Sequence, residues 1–175
     1  FITAKIAISN DYYSINKNSK WITNKNSKKI SHLLRSKNDC IFSTSKSINK
    51  DNSLLDCRIK GLNKFSPALF IIDLNLRLKK NLSLIYLLKK RKTFLITRKT
   101  NIKNSLYFKN IGFKILFIET LNSKENFKIL MSEVYRLGYR RAFFETGLTF
   151  LNTLLDYNLI NDLYIFQNNR KLKKN

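Results

Sequence analysis

The sequence predicts an α/β domain built on a largely parallel central sheet. Two observations lead to this fold class. Brief apolar runs bounded by polar residues recur along the chain, which is typical of strands covered on both faces. Amphipathic stretches at helical spacing lie among them, and alternating strands and helices favour parallel pairing. The chain of 175 residues is long enough for one domain with a sizeable core.

The N-terminal elements begin with a strand over residues 2–8, where apolar side chains occupy every second position. This strand places Asp11 just beyond its carboxyl end. A helix follows, with Thr23 as its N-cap and an end near Lys37. Residues 40–42 are then predicted as a short buried strand. The apolar residues expected on the inner face of the helix are Ile30, Leu33 and Leu34.

The middle of the chain holds three more apolar runs, predicted as strands over residues 69–72, 93–97 and 113–118. An amphipathic helix comes next, and Gly138 is expected to stop it because glycine adopts the left-handed backbone of a helix end at no steric cost. The apolar residues that define this helix are Phe127, Leu130, Met131 and Val134.

The C-terminal part is predicted as a strand over residues 142–144, a helix beginning after Gly147, and a last strand over residues 163–166. A basic tail over residues 170–174 follows. Four glycines and one proline leave no flexible interdomain linker. The residues expected on the inner face of the helix are Phe150, Leu151, Leu154 and Leu155.

The chain is strongly basic, with 34 Lys and Arg against 11 Asp and Glu and a net charge of +23. Such a charge ordinarily suggests nucleic acid or an anionic membrane as a partner. Here the cations are 25 Lys and 9 Arg scattered over the whole chain, whereas a phosphate backbone is bound by a clustered stripe. We therefore predict no nucleic-acid partner and keep a basic nucleic-acid-binding domain only as an alternative.

Two cysteines and one histidine exclude a zinc site of the C-x-x-C type and a disulfide framework. Cys40 and Cys57 are expected to be buried thiols in a reducing compartment. No apolar stretch approaches the roughly 20 residues that span a bilayer. The sequence therefore predicts a cytoplasmic protein with no bound metal and no membrane partner.

Five polar motifs have spacings that composition does not explain, at residues 5–11, 19–23, 34–35, 51–58 and 145–147. In order, they resemble the K-x-A-x-S-x-D-G, S-x-W-I-T, L-R, D-x-P-x-L-x-x-R and E-G-G motifs of the reductase domain of the bifunctional riboflavin-biosynthesis deaminase-reductase. Four of the five are recognisable, and the resemblance covers nearly the whole chain. It departs from the family pattern at Tyr12, Ser53 and Thr146, which replace a glycine, a proline and a glycine.

The resemblance implies a dihydrofolate-reductase-like fold with helices on both faces of the sheet, and NADPH as cofactor. A helix beginning after a buried strand near Gly147 presents free amide groups to phosphate, although a single glycine there is otherwise only a tight turn. Trp21 is otherwise a plug of the core. The positions that match cofactor-binding residues are Ala7, Trp21, Ser47, Asp51, Gly147, Leu148, Thr149, Phe150, Leu151, Asn152 and Thr153.

The same resemblance places four residues on a phosphoribosyl substrate, with Leu55 acting through its backbone and Glu145 also in contact with substrate. Arginine at two of these positions is informative, because the chain otherwise prefers lysine and only arginine offers a bidentate fork. The blander interpretation of Arg35 is a solvated cation at a helix C-terminus. The four residues are Ser19, Arg35, Leu55 and Arg58.

Catalytic roles are assigned to Asp51 and Glu145 by this motif context. An aspartate in a loop is otherwise a turn or capping residue more often than a catalyst, and the role of Asp11 stays open. His32, on the polar side of its helix, is expected to be solvated.

The function implied by the resemblance is NADPH-dependent reduction of 5-amino-6-(5-phosphoribosylamino)uracil to 5-amino-6-(5-phosphoribitylamino)uracil in riboflavin biosynthesis. Residues 1–175 are interpreted as a reductase domain, without the N-terminal deaminase domain and the C-terminal strands of the family. A homodimer and a fusion to a zinc deaminase domain in the full protein stay open. The alternatives are another dihydrofolate-reductase-like reductase, an inactive relative, or the nucleic-acid-binding domain named above.

Overall fold

A computed structural model describes residues 1–14, 25–169 and 171 of the protein. The strands in this part of the chain are β1 (Ile2–Ser9), β2 (Cys40–Thr44), β3 (Ala68–Ile72), β4 (Thr93–Arg98), β5 (Lys114–Ile118), β6 (Ala142–Phe144) and β7 (Asp162–Asn168). The α-helices are α1 (Lys25–Ser36), α2 (Ser45–Asp51), α3 (Ile102–Asn110), α4 (Lys124–Arg136) and α5 (Leu148–Asp156).

The seven strands form one sheet in the order β5-β4-β3-β2-β6-β1-β7. Every strand pair in it is parallel. Parallel strands need crossover connections, and helices or short 3₁₀ turns supply most of them. The predicted α/β class with a largely parallel sheet is therefore confirmed.

Helices cover both faces of the sheet, as expected. On one face α4 and α5 pack over β1, β2, β3, β4 and β6. A row of stacked phenylalanine rings lies beneath them: the ring centroids of Phe42 and Phe144 are 4.5 Å apart, and those of Phe70 and Phe94 are 4.3 Å apart. On the other face α1, α2 and α3 cover the alternate side chains of β2, β3, β4 and β6. Each central strand is thus buried on both faces, which explains its continuous apolar sequence.

The central strand β6 is shorter than its two neighbours. It pairs with β1 from Ile2 to Ala4 and with β2 from Cys40 to Phe42, whereas β1 continues to Ser9 and β2 to Thr44. The sheet therefore has a notch at the carboxyl end of β6, between the extensions of β1 and β2. Ligands of open parallel sheets bind outside the carboxyl ends of strands, so the notch is the natural place for a site.

Two side chains of the predicted helices differ from the structure. Ile30 and Leu155 were expected to face inward, but they are 45% and 40% exposed. In α1 the buried positions are Ser31 and Leu34, so the inner face is rotated away from Ile30. The expected N-cap Thr23 lies outside the described residues. Gly138 does follow the end of α4, with the left-handed backbone (φ +93°) that was predicted for it.

Candidate active site

Glu145 lies in the notch, directly after β6. Its backbone N–H donates to Phe42 O at 3.0 Å, and Ser43 Oγ donates to its carbonyl at 2.8 Å, so β2 fixes the backbone at this point. The side chain meets two cations. Arg35 Nε donates to Oε2 at 2.7 Å, and Lys5 Nζ lies 3.5 Å from Oε1. All three side chains are at most 14% exposed. One cation from α1 and one from β1 therefore converge on a single buried carboxylate.

The charge state of this cluster follows from its surroundings. Burial alone raises the pKa of the Glu145 carboxyl, because it penalises the charged form. The charges of Arg35 and Lys5, together with their hydrogen bonds, outweigh burial and hold the pKa of that carboxyl below its ordinary value. Glu145 is therefore ionised at neutral pH, and the cluster of Lys5, Arg35 and Glu145 carries one net positive charge.

The irregular segment 54–58 lies against the same arginine. Arg35 Nη1 donates to Asp56 O at 2.9 Å. His32 Nδ1 lies 3.0 Å from Asp56 O and accepts from the Arg58 N–H at 3.2 Å. Burial, followed by the charges of Arg35 and Arg58, lowers the pKa of the His32 imidazole. The expectation of a solvated His32 was therefore wrong. The segment 54–58 covers the face of α1 on which His32 lies, a face that carries polar residues in the sequence.

The predicted substrate arginines differ in availability. The Arg35 side chain is 11% exposed and contacts Glu145 and Asp56 O, whereas the Arg58 side chain is 58% exposed. Arg58 Nε lies 3.2 Å from Asp56 Oδ1, which leaves the rest of its fork facing solvent. Leu55 is buried and has a left-handed backbone, with φ +53°. Ser19, the fourth predicted substrate residue, lies outside the described residues.

The predicted cofactor positions Ser47 and Gly147 lie next to each other. Gly147 precedes α5 with φ −72° and ψ 162°, an extended backbone that any residue adopts. A Cβ placed on it would meet only Ser47 Oγ, at 3.9 Å. Leu148 and Thr149, in the first turn of α5, are exposed. The helix N-terminus therefore faces open space, which fits the approach of a phosphate group.

The other predicted cofactor positions are more scattered. Ala7 is half-buried on β1, in the part that extends beyond β6. Leu151 is buried against the sheet and Phe150 packs beside it, whereas Asn152 is exposed and Thr153 is half-buried. Trp21 lies outside the described residues.

Asp51 was predicted in a loop, but it is the exposed last residue of α2. The two proposed catalytic carboxylates therefore have unlike environments, since Glu145 is buried among cations and Asp51 faces solvent. The α2 helix begins after Thr44, whose Oγ1 accepts from the Ser47 N–H at 3.2 Å as an N-cap.

Lys5 is a member of the cluster that sequence reasoning did not select as a site residue. It opens the first of the five motifs, and its position in β1 is two residues before Ala7, so both project to the same face. The signal that could have identified Lys5 is a charged residue within an otherwise apolar buried strand. Its ammonium also lies 5.3 Å from the centre of the Phe166 ring on β7.

The three departures from the family motifs have different structural consequences. Tyr12 has φ +64°, the left-handed region that suits the glycine it replaces. Thr146 is absent from the residues with positive φ among those described, so a side chain is tolerated there. Ser53 follows Asn52, whose backbone is left-handed (φ 46°, ψ 44°), and such a backbone is disfavoured before proline.

Membrane and metal features are absent from the described part of the chain. None of its helices is long and apolar enough to cross a bilayer. No group of three or more His, Cys, Asp or Glu side chains in residues 1–14, 25–169 and 171 is arranged to hold a metal ion.

A parallel sheet, helices on both faces and a polar notch at the carboxyl end of β6 define an α/β domain, and the solved structures described below confirm the predicted dihydrofolate-reductase-like fold. The family model described as the RibD C-terminal domain matches residues 1–169. The chain therefore belongs to the RibD C-terminal domain family, and the predicted resemblance is confirmed at this level.

Solved structures similar to the chain include Acinetobacter baumannii RibD, form 1, with a TM-score of 0.83 and 16% identity. The match covers 99% of this chain and 47% of that one. The Thermotoga maritima diaminohydroxyphosphoribosylaminopyrimidine deaminase/5-amino-6-(5-phosphoribosylamino)uracil reductase has a TM-score of 0.79 and 19% identity, with coverage of 99% and 46%. Saccharomyces cerevisiae riboflavin biosynthesis reductase Rib7 has a TM-score of 0.78 and 22% identity, with coverage of 99% and 75%.

These likenesses show the fold, which they share at low sequence identity. The chain spans about half the length of the Acinetobacter baumannii and Thermotoga maritima proteins. A comparison with curated protein sequences finds no significant match.

Proposed function

We propose that the chain is a reductase domain that uses NADPH to convert 5-amino-6-(5-phosphoribosylamino)uracil to 5-amino-6-(5-phosphoribitylamino)uracil. The observation that carries the proposal is the buried cluster of Lys5, Arg35 and Glu145 in the notch of a chain that belongs to the RibD C-terminal domain family. The net positive charge of this cluster suits the oxygens of a phosphorylated sugar.

The substrate is held from the segment 54–58 in this proposal. Arg58, with its exposed guanidinium, binds the phosphate by a bidentate contact. Arg35, predicted as a substrate residue, is proposed to support the substrate while it orients Glu145 and the backbone of Asp56. Lys5 and Glu145 contact the ribose, whose ring must open before reduction. Ring opening requires a proton on the departing ring oxygen, and the Lys5 ammonium is the group in the cluster able to donate one.

NADPH, when bound, supplies the two electrons and the hydrogen that the reduction needs. The residues proposed to hold it are Ser47 and the first turn of α5 after Gly147, because that turn faces open space. The nitrogen of the opened substrate carries positive charge, which a carboxylate stabilises and a cation opposes. Asp51 is assigned this role, since Glu145 is already neutralised by two cations.

The experiment that tests the proposal follows NADPH absorbance with purified chain and 5-amino-6-(5-phosphoribosylamino)uracil. The wild-type chain is expected to oxidise NADPH only when this substrate is present. Asp51→Asn is expected to lower kcat about a hundredfold, which is the usual size of a general acid–base or charge contribution. Asp156→Asn is the matched control, because Asp156 is the exposed last residue of α5 as Asp51 is of α2.

A companion variant, Arg58→Lys, tests the substrate side. Lysine keeps the charge but loses the bidentate contact, so KM for substrate is expected to rise with kcat nearly unchanged. Arg136→Lys, at an exposed arginine on α4, is the control. Absence of substrate-dependent NADPH oxidation, or equal effects in the test and control variants, would contradict the proposal. Activity with dihydrofolate instead would favour the other reductase alternative.

The proposal includes a cytoplasmic location. Cys40 and Cys57 are buried free thiols, and burial raises the pKa of the Cys40 thiol, which makes it unreactive. A fusion to a deaminase domain is proposed only for the full protein, by analogy with the longer deaminase/reductase of Thermotoga maritima, and a homodimer stays a prediction.

A further inference from the structure

Arg91 is a buried arginine on the far side of the segment 54–58 from Arg35. Its side chain enters from the turn before β4, where its backbone N–H donates to Leu87 O at 2.9 Å. Nη1 donates to Leu55 O at 2.9 Å, and Nη2 donates to Leu54 O at 2.7 Å. The residue as a whole is 9% exposed. One guanidinium therefore binds two consecutive carbonyls of a segment that has no helix or strand hydrogen bonds of its own.

The segment is fixed from both sides by side chains. On one side Arg35 and His32 contact Asp56 O. On the other side Arg91 holds the carbonyls of Leu54 and Leu55. Nearby, the Ser83 N–H donates to Asn52 Oδ1 at 2.8 Å, so residues 83–91 also contact the chain just before the segment. Leu55 keeps a left-handed backbone, which is disfavoured in a residue with a side chain, and these contacts maintain it.

A buried arginine at this position loses the solvation of its charge, and an apolar residue would fill the same space without that loss. Burial lowers the pKa of the Arg91 guanidinium to about 10, and the Asp56 carboxylate opposes that shift. Nε has no hydrogen-bond partner among the described residues. Replacing a buried cation by an apolar residue of similar volume is often neutral or stabilising. The forked donor geometry, which matches two adjacent carbonyls, is the property that an apolar residue lacks.

We propose that Arg91 is a positioning residue for substrate binding. It sets the backbone of Leu54 and Leu55 so that the Leu55 amide and the Arg58 side chain are presented to the substrate phosphate. Arg91 acts on the substrate through the segment, because each of its terminal nitrogens donates to a carbonyl of the segment. This inference rests on the proposed function of the segment.

The kinetic test compares Arg91→Met and Arg91→Lys with the wild-type chain. Methionine keeps the stem and removes the fork, so KM for the phosphoribosylaminouracil substrate is expected to rise about tenfold while kcat and KM for NADPH change less than about twofold. Lysine reaches one carbonyl and is expected to give an intermediate KM.

Two controls separate positioning from loss of stability or charge. Val134→Ala removes buried volume from α4 on the opposite face of the sheet and lowers stability away from the segment. Arg136→Met removes an exposed cation. Both are expected to leave KM for substrate unchanged. An equal rise of KM in Val134→Ala would show that the Arg91 effect is general destabilisation, and would overturn the inference.

A second measurement decides the inference without substrate. Amide hydrogen exchange, followed by mass spectrometry on the full chain, reports whether the segment 54–58 loosens in Arg91→Met. Exchange is expected to rise in this segment and to stay unchanged in the central strand β2, which serves as the internal reference. Unchanged exchange in the segment overturns the inference, whatever the enzyme does. If the wild-type chain shows no turnover while the exchange difference is present, the proposed function fails and the anchoring of the segment by Arg91 stands.

Discussion

Glu145 is the single carboxylate that Lys5 and Arg35 share, which makes it a structural as well as a chemical centre. Removing one partner of a buried ion pair leaves the other charge uncompensated. Glu145→Gln is therefore expected to lower the free energy of unfolding by about 3 kcal/mol, measured by urea denaturation. Glu133→Gln, which breaks an exposed pair with Arg136, is the control and should cost less than about 1 kcal/mol. Similar losses in both variants would show that the notch cluster is not held tightly.

His32 gives the molecule a dependence of stability on pH. Its pKa is lowered in the folded chain, chiefly by burial and then by Arg35 and Arg58, whereas in the unfolded chain it keeps the ordinary value of 6.5. Between these two pKa values the unfolded chain binds more protons, so the free energy of unfolding rises with pH in that window and levels off above about 6.5.

The variant His32→Asn tests this dependence, because the Asn side-chain oxygen can still accept from the Arg58 N–H. Urea titrations at several pH values are expected to show a shallower slope below pH 6.5 in the variant than in the wild type. A slope of the same size in both proteins would mean that other groups cause it. Glu145, whose pKa is also lowered, acts in a separate acidic window, where stability falls as the carboxyl becomes protonated.

Tyr12 has a strained left-handed backbone, with φ +64°. Its side chain is 72% exposed, so packing of the ring does not offset this strain. Glycine adopts this backbone without the clash of a Cβ. Tyr12→Gly is expected to raise the free energy of unfolding by about 0.5–1 kcal/mol, measured by thermal or urea denaturation. Asn158→Gly, at another exposed residue with φ +51°, should gain less, since Asn tolerates the left-handed region. A loss of stability in Tyr12→Gly would show that the tyrosine ring makes a contact that outweighs the strain.

At the scale of single elements, the residue before α5 is free of constraints from the fold but is proposed to lie beside the cofactor. The backbone of Gly147 suits any residue, and a Cβ there meets only Ser47 Oγ. Gly147→Val is therefore expected to keep the stability of the wild type but to weaken NADPH binding about tenfold, because it fills the space that a phosphate would enter. Fluorescence titration with NADPH measures the binding.

Gly138→Ala is the converse control for that experiment. Gly138 needs its positive φ at the end of α4, and nothing lies within 4 Å of an added Cβ. This variant is expected to lose about 1 kcal/mol of stability and to bind NADPH normally. Full NADPH affinity in Gly147→Val would move the phosphate site away from α5.

The strands were predictable because each central one is buried on both faces and reads as a short apolar run. The helices were harder. α2 has one buried apolar residue, Ile48, in a polar stretch, and α3 has only weak apolar periodicity, so neither was predicted. In the site, motif order identified Glu145, Arg35 and Arg58 as candidates, but the burial of His32 depends on a segment more than twenty residues away. Contacts of that kind follow from tertiary packing and leave no local pattern in the sequence.

At the scale of the whole molecule, a net charge of +23 is the most prominent property of the sequence. Several cations are committed to internal contacts, such as those of Arg35 and Arg91, and others pair with carboxylates on the surface. Binding to nucleic acid is therefore expected to be weak and without sequence preference, and to disappear as salt rises to physiological strength, as measured by gel shift. A sequence-preferring complex that persists at that salt concentration would favour the nucleic-acid-binding alternative instead.

The position of β6 between β1 and β2 also determines when the sheet can be completed. β2, β3, β4 and β5 are neighbours in sequence order, so this half of the sheet forms from local crossovers. β1 pairs only with β6 and β7, and Ile2 meets Ala142. During synthesis β1 therefore has neither of these partners until residues 142–144 have been made, and such distant pairing slows folding. Lys5 and Glu145 come together in the same closing event, so a chain interrupted before β6 has neither a complete sheet nor the charged cluster.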